Sequence, residues 1–340
     1  MIAMMNAHDD AILTISNLRT EFRIGGAWHA AVRDLSLTLG RNETLAIVGE
    51  SGSGKSVTAL SILRLLPKAG ARIGAGEVMF EGRDIVQLSE HEMSRIRGNA
   101  IAMIFQEPMT SLNPTMTVGQ QIAEVITIHR HVPQSEASAE ALRLLREVKI
   151  PAAESRIHDY PHQFSGGMRQ RVMIAMALAC RPKILLADEP TTALDVTIQA
   201  QVLMQLDELK QAYGMSILFI THNLGVVAQI ADRVAVMYAG EVVELAGVEA
   251  LFARPTHPYT AALLRAMPRA DRSSDSLEPI AGSVPPLTSM PPGCAYAPRC
   301  PHKLPSCAEK RPALQEAGAL AGDPSHLVRC PVRLAAGASP

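Results

Sequence analysis

The 340-residue sequence predicts an α/β fold: a mostly parallel sheet with an antiparallel β subdomain, an inserted helical subdomain and a short cysteine-containing C-terminal extension. Three observations carry that prediction. The runs Thr44 to Val48, Ile184 to Ala187 and Ser216 to Ile220 are apolar on successive residues, as strands covered on both faces of a parallel sheet are. Ile12 to Phe22 and Ala31 to Leu39 alternate instead, which suits antiparallel strands. Between Glu107 and Gln163 the β-type runs vanish, and Thr117 to Arg130 and Ser135 to Val148 read as helices punctuated by Pro108, Pro114, Pro133, Pro151 and Pro161.

Each apolar strand runs directly into a polar cluster, and ligands of open α/β sheets sit at the carboxyl ends of strands. After about Gly247 the texture changes. Prolines become dense from Pro285 to Pro305 and four cysteines appear, so a tail with little regular structure, in need of a staple, is expected there.

Composition narrows the function classes. With 47% apolar and 19% charged residues the chain suits a cored globular protein. A net charge of −1 argues against a nucleic-acid binder and against attachment to anionic lipid by charge alone. No apolar stretch is long enough to cross a bilayer, and Met1 to Asp10 lacks the basic start and apolar middle of a signal peptide. The expectation is a cytosolic chain that reaches a membrane only through a partner. The 16 methionines read as adaptable core filling, and Cys180, in an apolar helical run, as a buried inert thiol.

Gly49-Glu50-Ser51-Gly52-Ser53-Gly54-Lys55-Ser56 fits the phosphate-loop pattern in full. Glycines let successive N–H groups turn inward at phosphate oxygens, and the helix that follows, Val57 to Leu66, presents its positive end to the same anion. Lys55 would reach the β- and γ-phosphates and the Ser56 hydroxyl would ligate Mg²⁺. With Val57 opening the helix, Gly49, Ser51 to Ser56 and Val57 are the candidate nucleotide residues of a P-loop NTPase core.

Ile184 to Ala187 ends in Asp188 and Glu189. Asp188 suits Mg²⁺, and Glu189 is placed to activate the water that attacks the γ-phosphorus. Paired acids at a strand end are otherwise a solvated loop; the phosphate loop upstream reverses that reading. His222 follows the third strand as a candidate γ-phosphate contact, and Gln106 follows Met103-Ile104-Phe105 as a candidate third Mg²⁺ ligand.

Ser165-Gly166-Gly167 precedes an unbroken helical pattern and forms a second anion site, with bare N–H groups at a helix start. One chain with two phosphate sites makes sense if the second closes over ATP held by another subunit.

The order of phosphate loop, Gln106, Ser165-Gly166-Gly167, Asp188-Glu189, Ala193-Leu194-Asp195 and His222 resembles the ABC-transporter ATPases. The resemblance spans residues 11–270 as one ATPase domain, with the helical subdomain at about 107–179 inserted, and an extension at 271–340. It implies a head-to-tail dimer, with Ser165 of one chain capping ATP on the phosphate loop of the other. It also implies that Asp195 couples the two sites, that Gln106 links hydrolysis to transmembrane subunits and that Phe22 stacks on adenine, with Trp28 nearby.

Phe105 to Pro114, Met168 to Ala177 and His257-Pro258-Tyr259-Thr260 are similar to the dipeptide/oligopeptide importer group, and Met168 with Asp188 to Gln201 to the first, D-type, of its two ATPase subunits. That implies a heterodimer with a second, different ATPase subunit, two transmembrane permease subunits and an extracytoplasmic peptide-binding protein, at the cytoplasmic face of the inner membrane. One departure stands out: the family has Asp after the His, and here the residue is Asn223. The change is expected to alter local hydrogen bonding and leave the γ-phosphate contact in place.

The spacing Cys294-x5-Cys300-x6-Cys307-x22-Cys330 is neither a zinc ribbon nor a ferredoxin run, and it leaves metal and scattered reduced thiols both open. The resemblance of Gly293 to Pro301 to the tail of peptide-importer ATPases implies a [4Fe–4S] cluster on the four thiolates, with zinc the alternative and a structural clamp its expected role. The function expected is ATP hydrolysis that powers uptake of di- or oligopeptides. Other cargo, such as nickel chelates or glutathione, and a non-transport ABC ATPase are the alternatives.

Overall fold

The computed structural model describes residues 11–106, 111–192, 194–267, 279–318, 325–332 and 334. Met1 to Asp10, Glu107 to Thr110, Ala193 and the expected domain boundary at 270 and 271 lie outside them. The chain divides into two compact units, one drawn from Met1–Gly40, Thr44–Val86 and Ile220–Pro340, the other from Arg41–Glu43 and Gln87–Phe219. Strands and helices are numbered in chain order.

In the first unit, β1 (Ala11–Ile24) and β2 (Ala27–Gly40) form an antiparallel hairpin about Gly25 and Gly26, both at positive φ. β1 also pairs antiparallel with β4 (Ala71–Phe80), which carries the short β5 (Arg83–Asp84), in the order β2-β1-β4-β5. The alternating runs are therefore the antiparallel strands they predict, a few residues longer at each end.

β3 (Thr44–Val48), buried at every residue, pairs in parallel with β9 (Arg233–Tyr238), and β9 turns back antiparallel into β10 (Glu241–Gly247). After β3 comes α1 (Lys55–Ile62). It stops short of the predicted Leu66 because Arg64 turns left-handed (φ 53°) and Pro67 excludes the helical conformation before it. Val48, Val236, Tyr238, Val243, Leu251, Tyr259 and Tyr296 share one buried cluster, so strand, helix and extension residues pack together.

The region beyond Gly247 is more ordered than its prolines predict. α8 (Leu224–Ile230) lies before β9, and α9 (Val248–Ala253) and α10 (Pro258–Arg265) follow β10 directly. Further on stand α11 (Ser306–Glu309), β11 (Gln315–Glu316) and β12 (Leu327–Val328). β12 adds antiparallel to β10, giving β11-β12-β10-β9-β3 within this unit. Side chains clasp the tail as well. His326, fully buried, meets Glu244 at 2.6 Å, and Arg311 pairs with Asp34 and Glu241.

In the second unit, β6 (Ile101–Ile104) pairs in parallel with β7 (Ile184–Asp188), and β8 (Ser216–Thr221) comes next in the order β8-β7-β6; the last two residues of β8 fall in the first unit. α2 (Glu90–Ile96) opens on a Ser89/Glu92 capping box, and α3 (Val118–Arg130) on a Thr117/Gln120 box. α3 and α4 (Gln134–Glu147) match the predicted helices to within one residue at each end and bury Ile122, Ile126, Ala137, Ala141, Leu144 and Leu145. α5 (Ala153–Arg156), α6 (Gly166–Leu178) and α7 (Val196–Tyr213) complete the unit.

Two local expectations change. Cys180 lies in the turn after α6 and is only half-buried, although burial does push its thiol pKa up. Met93, Met173, Met215 and Met237 fill the core as expected, but Met204 on α7 is 66% exposed.

Candidate functional site

The phosphate loop belongs to the first unit and joins β3 to α1. Two of its three glycines are there for lack of room. A Cβ on Gly49 would stand 2.2 Å from the Met237 carbonyl oxygen, and one on Gly54, at φ 100°, would stand 2.8 Å from that of Ala31. Lys55 is buried and its Nζ donates to the carbonyls of Gly49 (2.8 Å) and Glu50 (3.0 Å). Ser53 Oγ is buried without a hydrogen-bond partner, a desolvated hydroxyl inside a loop built to surround an anion. Ser51 and Gly52 are exposed, and Ser56 and Val57 open α1 partly exposed.

Phe22, partly exposed on β1, pairs across the hairpin with His29. Trp28 is engaged otherwise, its ring 4.1 Å from the Arg72 guanidinium. His222 is exposed immediately beyond β8. Asn223 caps α8, its Oδ1 accepting from Gly225 N (3.0 Å) and Val226 N (3.4 Å). Two acceptor bonds are what an Asp would also make there, which explains why Asn serves at this position.

In the second unit Asp188 ends β7 at 5% exposure. Glu189 follows in the left-handed region (φ 47°), a strained backbone for a non-glycine residue. Gln106 Nε2 donates to Glu189 Oε2 at 3.0 Å, and Thr192 Oγ1 donates to the same oxygen at 2.9 Å. Thr192 was not a predicted site residue; the one signal for it is its place in Asp188-Glu189-Pro190-Thr191-Thr192 at a strand end.

Ser165 caps α6 by accepting from Met168 N at 3.4 Å, and Gly166 and Gly167 form the first helical residues. A Cβ on Gly167 would press within 2.7 Å of Ile198 on α7. Asp195 is exposed and caps α7, accepting from Ile198 N at 2.9 Å. Behind Gln106, Phe105, Val125, Met173 and Met176 line an apolar cavity of about 180 Å³.

Ser56 in the first unit, and Gln106 and Asp188 in the second, offer hydroxyl, amide and carboxylate oxygens, each a hard donor of the kind Mg²⁺ takes. The cysteines are a different case. Cys294 N donates to Cys307 O at 2.8 Å, and Cys294, Cys300 and Cys307 all lie near enough to add to the raised pKa of Cys330. Burial is the larger cause, and it pushes Cys330 up to about 12 and Cys294 and Cys300 in the same direction. Cys330 Sγ donates to Val332 O at 3.0 Å. Yet among the described residues no group of three or more His, Cys, Asp or Glu side chains is placed to hold a metal ion. Cys294, Cys300, Cys307 and Cys330 share a neighbourhood, in which burial favours the neutral thiol at Cys294, Cys300 and Cys330.

The ABC transporter family profile matches residues 32–192, and the profile for the C-terminal region of oligopeptide/dipeptide transporters matches residues 243–307. The oligopeptide transport ATP-binding protein OppD of Escherichia coli is 51% identical over 89% of both chains, and the dipeptide transport ATP-binding protein DppD of Bacillus subtilis is 49% identical over 94% of both. Among solved structures, the dimeric post-hydrolysis state of an ATP-binding cassette bound to ADP and phosphate superposes with a TM-score of 0.63 at 28% identity, covering 69% of this chain and 98% of that one.

Proposed function

This chain belongs to the ABC transporter family of ATP-binding proteins, and on that premise we propose that it is the ATP-hydrolysing subunit of an importer for di- and oligopeptides. The observation that carries the cargo class is the match of residues 243–307 to the oligopeptide/dipeptide transporter C-terminal region. The relatives named are oligopeptide and dipeptide transport proteins, which favours peptides over nickel chelates or glutathione.

In this reading Gly49, Ser51 to Ser56 and Val57 cradle the phosphates, Lys55 leaves its loop carbonyls for the β- and γ-oxygens, and Phe22 stacks on adenine. Ser56, Gln106 and Asp188 would hold Mg²⁺, which when bound offsets phosphate charge. Glu189 takes a proton from water as the water oxygen bonds to the γ-phosphorus and the bond to the β–γ bridging oxygen breaks, leaving ADP and phosphate. Gln106 and Thr192 hold that carboxylate in place, and the support is their two hydrogen bonds to one oxygen. His222 contacts the γ-phosphate. Ser165, Gly166 and Gly167 cap ATP bound by a neighbouring cassette, and Asp195 couples the two sites.

The ATPase domain is taken as residues 11–270 and the extension as 271–340. The partners are a second, different ATPase subunit, two permeases and an extracytoplasmic peptide-binding protein, with the apolar cavity beside Phe105 receiving a permease segment. Among the described residues no helix is long and apolar enough to cross a membrane; the place proposed is peripheral, at the cytoplasmic face of the inner membrane. Cys294, Cys300, Cys307 and Cys330 remain the proposed ligands of a [4Fe–4S] cluster, with zinc the alternative. Their shared neighbourhood is the support, and no step of ATP turnover passes through them.

The test is uptake of radiolabelled di- and tripeptides by cells lacking the gene, complemented with the natural chain or with Glu189→Gln. Uptake restored by the first alone is expected. Uptake unaffected by the deletion overturns the reading.

A further inference from the structure

Glu50, the second residue of the phosphate loop, is held from three sides. Its carbonyl accepts from Lys55 Nζ (3.0 Å) and from Ser53 N (3.2 Å), both within the loop. Its N–H donates to Tyr259 Oη (3.0 Å), and its carboxylate receives both arms of Arg299 at 2.6 and 2.9 Å. Arg299 stands between Cys294 and Cys300 in the extension, 249 residues along the chain.

The guanidinium is close to saturated. Nε donates to Ala281 O (2.8 Å), Nη2 also to Ile280 O (3.2 Å), and Nη1 also reaches Tyr238 Oη (3.3 Å). It sits 5.7 and 5.9 Å from the ring centres of Tyr238 and Tyr296, and Tyr238 packs edge-on with both Tyr259 and Tyr296. The Arg299 side chain is 6% exposed and that of Glu50 26%. A planar five-donor fork over aromatic faces is a role lysine does not fill.

This arrangement faces an electrostatic demand. A loop that must receive a polyanionic triphosphate carries a carboxylate of its own, and an unpaired carboxylate beside the phosphates would oppose binding. Arg299 neutralises that charge and fixes the backbone whose carbonyl holds Lys55. We propose that Arg299 is a positioning residue for nucleotide binding: through Glu50 it makes the ATP affinity of the phosphate loop depend on the seating of the cysteine-bearing extension. The inference rests on the reading of this loop as the ATP site.

The experiment uses the full chain with a fluorescent ATP analogue and Mg²⁺, and compares the natural protein, Arg299→Gln, Arg299→Lys and Glu50→Gln/Arg299→Gln. Arg299→Gln is expected to weaken analogue binding about tenfold, as loss of one partner of a desolvated charge pair does. KM for ATP should rise with kcat little changed, because no catalytic group is touched. Arg299→Lys, which keeps the charge and loses the fork, should bind about threefold more weakly than the natural chain. The double variant, without the orphaned carboxylate, should recover most of the loss made by Arg299→Gln. Analogue affinities for both single variants within about twofold of the natural chain overturn the proposal. Should Arg299→Gln fail to fold, Arg299→Lys decides alone. A natural chain that binds no analogue removes the ATP reading itself, and this inference with it.

Discussion

The side-chain amide of Gln106 donates to the Glu189 carboxylate at 3.0 Å, joining the end of β6 to the end of β7, 83 residues apart. On the proposed reading the nitrogen of this side chain would steady the base while its carbonyl oxygen would serve a metal.

Glu189→Gln is expected to lower ATP turnover by two or more orders of magnitude while ATP binding persists, because the amide orients water without accepting its proton. Phosphate release and gel filtration with ATP check this, the second expected to show a stabilised pair of cassettes. Turnover near that of the natural chain removes the assigned role. Gln106→Ala, which removes one donor to the carboxylate and leaves that of Thr192, should lower kcat by about tenfold with a smaller change in KM.

Lys55→Ala should abolish nucleotide binding at submillimolar ATP and leave the fold intact. Its Nζ bonds to the Gly49 and Glu50 carbonyls lie within the loop itself. Analogue titration beside a melting curve separates the two effects.

Asn223→Ala removes both cap bonds at the start of α8 and should cost about 1 kcal/mol of stability, whereas Asn223→Asp keeps two acceptors at a helix N-terminus and should match or slightly exceed the natural chain. Chemical denaturation measures both. An Asp variant that loses as much as the Ala variant would refute the capping account.

Acid should loosen the seat of the extension. Burial holds His257 neutral, with its pKa lowered to about 4, and its Nδ1 accepts from Tyr259 N at 3.0 Å, a bond that protonation destroys. Between pH 6.5 and 4 the unfolded chain therefore binds more protons at this site than the folded one, and stability falls as pH falls through that window, by on the order of 3 kcal/mol in all. Burial works against charge on the neighbouring Glu244, but hydrogen bonds from His326 and Thr256 outweigh it and hold that carboxyl below its usual range. Its contribution is present above the unfolded carboxylate pKa and lost below it, so both sites act in one direction. Melting temperatures at pH 7, 6, 5 and 4 should decline steadily; His257→Asn, which keeps a cap acceptor and cannot titrate, should flatten the upper part of the curve.

Metal analysis of anaerobically purified protein decides the cysteine site. Iron and sulfide near four per chain, lost in Cys330→Ser, are expected on the cluster reading. Stoichiometric zinc without iron selects the alternative, and neither metal retires both.

Much of the scaffold was legible because its causes are local. Thr44–Val48, Ile184–Asp188 and Ser216–Thr221 are buried at every residue, so all but their end residues Thr44, Asp188, Ser216 and Thr221 had to be apolar. The glycines of the phosphate loop, the Ser165 cap and the acids after β7 are short motifs whose spacing is their mechanism. What stayed illegible depends on where distant segments meet. Nothing local to Arg299 names Glu50, nothing near His326 names Glu244, and the short β12 becomes a strand only because the edge of β10 is there to pair with it. Local hydrogen bonds and hydrophobic periodicity are written in consecutive residues, so the sequence by itself determined the strands, the caps and the motifs at their ends. Pairings between segments far apart in the chain exist only once burial has brought the partners together and stripped them of water, and the tertiary structure alone decided those.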